Sequence, residues 1–89
     1  YKPRPQPVYA LETARLRLGA VVRGLEGWAE FDALLPGVDE AGEAVTPRSI
    51  RASSLLAALE IAKEGHADLR QEGVFEPIWM RARKPEANN

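Results

Sequence analysis

Four groups of residues in this 89-residue chain have side chains capable of chemistry. His66 lies between Glu64 and Asp68. An imidazole flanked by carboxylates can relay a proton or help hold a metal, but either task needs further ligands converging from distant sequence. This is the single His of the chain, and no Cys accompanies it. It therefore reads as a solvent-exposed residue just past a helix end. Ser49, Ser53 and Ser54 offer hydroxyls without a second His to activate them, so a nucleophile is not expected. Ser53 and Ser54, together with Ala57 and Ala58, read instead as small residues that let helices pack closely. Asp39, Glu40 and Glu43 form an acidic cluster, but Gly37 and Gly42 make that stretch too pliable to hold two carboxylates at a catalytic separation. No Gly-rich phosphate cradle is present, since Gly24 and Gly27 lack the P-loop spacing and its Lys-Ser/Thr. No enzymatic activity, metal or cofactor is expected.

The fourth group is basic. Arg48 and Arg51 open a helix, and Arg81, Arg83 and Lys84 close a hairpin, positions from which a duplex can be gripped. Twelve Lys and Arg stand against thirteen Asp and Glu, a formal net charge of -1. No global positive field draws such a chain to nucleic acid or to anionic lipid. DNA contact through Arg48, Arg51, Arg81 and Arg83 is thus the alternative reading and not the leading one.

The elements that must position these residues follow from periodicity and punctuation. Residues 1–7 carry Pro3, Pro5 and Pro7, which block helix and ladder hydrogen bonds and read as the end of an extended linker. The opening at Tyr1 without a Met suggests a piece of a longer protein. From Val8 to Leu25 the apolar positions Leu11, Ala14, Leu18, Val21, Val22 and Leu25 recur every three or four residues, an amphipathic first helix. Trp28, Phe31, Leu34 and Leu35 predict a short second helix that Pro36-Gly37 ends, and residues 36–45 predict a loop. Thr46-Pro47 is a strong helix start, so a third helix is expected from about Pro47 to Glu64, closed by Gly65. Ala67, Leu69 and Gln71 alternate with His66, Asp68 and Arg70 as a half-buried strand, with Glu72-Gly73 as the turn. A return strand is expected over about Val74 to Arg83, at a sheet edge or with a bulge because of Pro77. Residues 84–89 read as a disordered polar tail.

Helix, short helix, helix and hairpin make one α+β domain over residues 8–83, a small winged helix with three helices and a C-terminal β-hairpin as the wing. With 45% hydrophobic residues, one small core is all the chain can build. No apolar run reaches the roughly 20 residues of a membrane span, and the lack of Cys fits a reducing cytoplasm. The hairpin residues Val74, Phe75, Ile78, Trp79 and Met80 put apolar side chains on both faces, whereas a domain this thin buries one. The second face, and the strand's edge, are expected to meet a protein partner.

At these residues the sequence resembles the C-terminal domain of a bacterial kleisin family, segregation and condensation protein A (ScpA). The resemblance is carried by Arg48-Ser49, Ala52 through Glu60, Lys63-Glu64-Gly65, Leu69-Arg70-Gln71 and Phe75-x-x-Ile78-x-Met80. Tyr1 to Pro5 and Trp28 to Pro36 resemble the lead-in. It is strong over residues 48–81 and weak over 8–45, and it consists of core positions with no metal or nucleotide signature. Ser54-Leu55 stands where the family has Thr-Phe, and Glu76 where a Gly follows the hairpin Phe. The resemblance implies a non-enzymatic subunit of the SMC complex. The C-terminal winged helix of that family docks on the ATPase head of one SMC protein. The N-terminal domain binds the other SMC near its neck, and a middle segment, outside this chain, binds the partner ScpB. The kleisin thereby closes a ring around chromosomal DNA, which places the protein in the cytoplasm at the nucleoid. Phe75, Ile78, Trp79 and Met80 are the expected docking residues, aided by apolar faces of the third or first helix, with Leu55 and Leu59 as core support.

Overall fold

The computed structural model describes residues 9–41 and 45–83. The Pro-rich residues 1–7, Glu43, Lys84 and the 84–89 tail lie outside the described residues. Helix α1 spans Leu11–Arg23, strand β1 Ala29–Glu30, α2 Val38–Ala41, α3 Pro47–Lys63, β2 Ala67–Gln71 and β3 Ile78–Ala82. A single 3-10 turn, Phe31–Leu34, follows β1. The sheet is antiparallel with order β1-β3-β2. Three helices and a three-stranded sheet in this order make a small winged-helix-like α+β fold, with the hairpin as its wing.

Local signals set the ends of α3. The Thr46 hydroxyl accepts a hydrogen bond from the Ser49 N–H at 3.1 Å, and Pro47 occupies the first helical position. At the other end Gly65 adopts φ +87°, where a side chain would strain against the backbone. The buried side of α3 is Ile50, Ser54, Ala57, Ala58 and Ile61. It packs on Ala14, Leu18 and Val22 of α1, with Phe31, Ala67 and Met80 completing the core. Small side chains at Ser54, Ala57 and Ala58 permit the close α1–α3 approach. Two serines add a latch: the Ser49 Oγ accepts from the Tyr9 N–H at 2.7 Å, and the Ser53 hydroxyl donates to the Tyr9 carbonyl. That pair fastens the chain just before α1 to the middle of α3.

Three expectations fail here. The predicted second helix is a two-residue strand followed by one 3-10 turn, and the only α-helical turn of this region, α2, lies in the predicted loop. Spacing of three residues between Phe31 and Leu34 suits a 3-10 turn, which has three residues per turn. Ala29 and Glu30 are extended because they pair with Met80 and Trp79, far along the chain. The return strand is shorter than expected and lies at the centre of the sheet, with β2 along one edge and β1 on the other at Trp79 and Met80. Pro77 sits just before β3, where no ladder hydrogen bond is required of it. The turn apex is Val74-Phe75 and not Glu72-Gly73, since the Glu76 N–H closes a four-residue turn onto the Gly73 carbonyl at 3.0 Å.

Candidate docking surfaces

The outward side of α3 is built by subtraction. A helix turns about 100° per residue, so with Ile50, Ala57 and Ile61 facing the core, Arg48, Ala52, Leu55, Leu56, Leu59 and Lys63 face away from it. Leu56 is 54% exposed and Leu59 51%, while Leu55 is half-buried against the edge of the core. Leu59 is therefore not core support, and Leu55 is so only in part. The alanines take the buried positions because α1 lies too close to admit leucine, and the leucines are left outside. Leu56 was not singled out from the sequence, although the helical angle from Ala57 and Ile61 gives its direction.

Charges on α3 are sorted as well. Glu60 and Glu64 turn toward α1, where Arg15 pairs with both. The outward leucines are thus bracketed by Arg48 and Lys63, and the one carboxylate that borders them, Glu60, is paired with Arg15. An apolar strip with cations at its ends is equipped to receive an apolar surface with acidic margins.

The hairpin holds fewer docking residues than expected. Met80 is fully buried, and Ile78 is half-buried against the core. Both face inward with Ala82, because β3 lies between two strands over the helices and alternate residues must point to the core. Trp79 is 37% exposed on the opposite face of the sheet. Its strand neighbours there are Glu30 and Arg70. Alongside, the Arg81 guanidinium lies 4.6 Å from the Trp28 ring centroid and its Nε donates to Asp68 at 2.9 Å. This outer face is already paired within itself, which suits contact with water. Phe75 alone among the four is fully exposed.

The arginines considered for DNA do not converge. Arg51 donates from Nε to Asp32 at 2.8 Å and lies over the buried Phe31 ring, 5.7 Å from its centroid. It shields the core edge. Arg81 is held by Asp68 and Trp28 on the outer sheet face, and Arg83 lines a groove beside α1. Arg48 alone is left on the outward side of α3. Counterion release scales with the number of phosphates neutralised, so Arg48 at the helix start and Arg83 in a separate groove, the two of the four without an ion pair among the described residues, supply little affinity.

That groove, about 710 Å³, runs between α1, the end of α3 and the root of the hairpin. Leu16, 71% exposed, and the part-exposed Leu25 and Ala82 supply apolar surface over the buried Val22 and Ile61, and Glu12, Arg23 and Arg83 stand at the margin. His66 lies on its margin with Glu64, which Arg15 engages. The His66 backbone is bound at both ends, its N–H to Ile61 and its carbonyl to Arg83. Among the described residues no three His, Asp or Glu side chains gather as a metal site, and no helix is long and apolar enough to cross a membrane. Asp39 and Glu40 lie on α2, where Glu40 meets Arg17 at 3.6 Å.

Comparison with models of known protein families and with curated proteins finds no match.

Proposed function

We propose that this domain is a protein-docking module of the kleisin type, which seats the outward side of α3 on the ATPase head of an SMC protein. The observation that carries the reading is the exposed Leu56-Leu59 strip on a helix whose one carboxylate, Glu60, borders the strip and is neutralised by Arg15 of α1. A solvated helix face normally carries charge where this one carries leucine. The sequence resemblance supplies the partner. The module itself performs no chemistry. ATP belongs to the SMC heads, and DNA and ScpB are met through the assembled complex at the nucleoid.

Burial of each leucine contributes roughly 1.5–3 kcal/mol when desolvation is complete. The test is binding of this chain to a purified SMC head by calorimetry, with Leu56→Glu and Leu59→Glu as variants. The double variant is expected to weaken head binding by at least about 100-fold, since each change adds a desolvated carboxylate to the lost burial. Retention of wild-type affinity by a folded double variant overturns the reading. A DNA duplex titrated in parallel at two salt concentrations addresses the alternative: salt-sensitive duplex binding without head binding would restore the arginines to the leading role.

A further inference from the structure

Two features take no part in the α3 surface. One is the apex of the hairpin. Phe75 is 99% exposed and Val74 80%, and Phe75 has φ +68° at a turn position that glycine normally fills. A bulky residue held in the left-handed region with its ring in water gains nothing from the fold of its own chain. The other feature is the groove beside α1, where the exposed Leu16 and the part-exposed Leu25 and Ala82 lie over a floor of the core residues Val22 and Ile61. Arg23 and Arg83 stand at its margin, and neither has an ion-pair partner among the described residues.

The two features complement each other. The apex flanks its apolar pair with Glu72, which Arg70 shares at 2.6 Å, and with Glu76, which has no ion-pair partner among the described residues. The groove answers an apolar knob with Leu16 and Leu25, and its Arg15–Glu64 pair is self-neutralised, so Arg23 and Arg83 outnumber its one other carboxylate, Glu12, and meet the acidic margin of the apex with a net positive charge. They cannot meet within one chain. The apex precedes Ile78, the groove is lined by Ala82, and the strand between them separates the two by roughly 13 Å or more. We propose that the Val74-Phe75 apex of one copy seats in the α1 groove of a second copy. The two patches differ, so the contact is head-to-tail and leaves an apex and a groove free for further copies. A contact built on one aromatic knob is small, and association is expected at about 0.1–1 mM. It uses a surface separate from the α3 leucines, so loss of SMC-head binding and loss of self-association are independent results.

Sedimentation equilibrium of the 89-residue chain tests this. At low salt the average mass is expected to climb with concentration past twice the 9.8 kDa monomer, and to fall when salt is added. Phe75→Glu and Leu16→Glu change exposed side chains at the knob and the groove, and each variant alone is expected to remain monomeric. An equimolar mixture joins the intact groove of the first to the intact knob of the second, and is expected to form a pair that stops at two chains. Arg23→Glu serves as a second groove variant. A wild-type chain that stays monomeric, a Phe75→Glu chain that still associates, or a mixture that forms no pair overturns the proposal.

Discussion

Phe75 carries the clearest local cost in the molecule. At φ +68° its Cβ crowds the following carbonyl, a penalty of roughly 1–2 kcal/mol that glycine avoids and asparagine reduces. Phe75→Asn is expected to raise stability by about 0.5–1 kcal/mol in urea unfolding, because no packing is lost at a fully exposed side chain. Met80, five residues on, shows the opposite balance. It is buried at the centre of the sheet, and Met80→Ala is expected to cost about 2–5 kcal/mol. Both residues belong to one apolar-rich hairpin segment of the sequence, and only the pleat of β3 and the turn before it separate a core residue from a protruding one. The serines divide in the same way. Ser54 is buried as a small packing residue, as its type suggested, while Ser49 and Ser53 hold the backbone at Tyr9, a contact no local pattern announces.

At the scale of elements, α3 carries both the core and the proposed docking surface on opposite sides. Its two sides should respond differently to substitution. Ala57→Leu forces a larger side chain into the close α1 contact and is expected to cost about 1–3 kcal/mol, whereas Leu59→Glu should leave the thermal midpoint within a few degrees of wild type. Differential scanning calorimetry of the two variants measures this directly, and equal losses would mean that Leu59 is a core residue after all. The ends of this helix were legible because capping is local: Thr46-Pro47 and Gly65 act within a few residues of themselves. Strand β1 was not legible. Ala29 and Glu30 carry no alternating pattern of their own and become a strand only by pairing with β3.

For the molecule as a whole, the order β1-β3-β2 changes what the surface offers. A strand expected to lend its edge to a partner is internal, and the face of Trp79 and Arg81 is satisfied by cross-strand neighbours. The candidate surfaces are then the α3 leucines, the hairpin apex and the α1 groove. The contact of Tyr9 with Ser49 and Ser53 ties the start of the domain to its central helix over forty or more residues. Removing both hydroxyls by Ser49→Ala and Ser53→Ala is expected to lower stability by about 1–3 kcal/mol, and to speed amide exchange in the first turn of α1 more than in β3. Uniform acceleration across the domain would instead assign the serines to general helix packing.

The sequence by itself determined the element types that depend on near neighbours: α1 from its 3.6-residue apolar period, α3 from its caps, β2 from its alternation, and one small core from chain length. The tertiary structure alone decided which strand is central, which leucines of α3 are left outside, and that Arg51 and Arg81 are engaged by Asp32 and Asp68. The reason is the range of the forces. Backbone dihedral preference and capping act over one helical turn, whereas strand pairing, close helix contact and charge neutralisation join residues that the chain brings together only after it has folded.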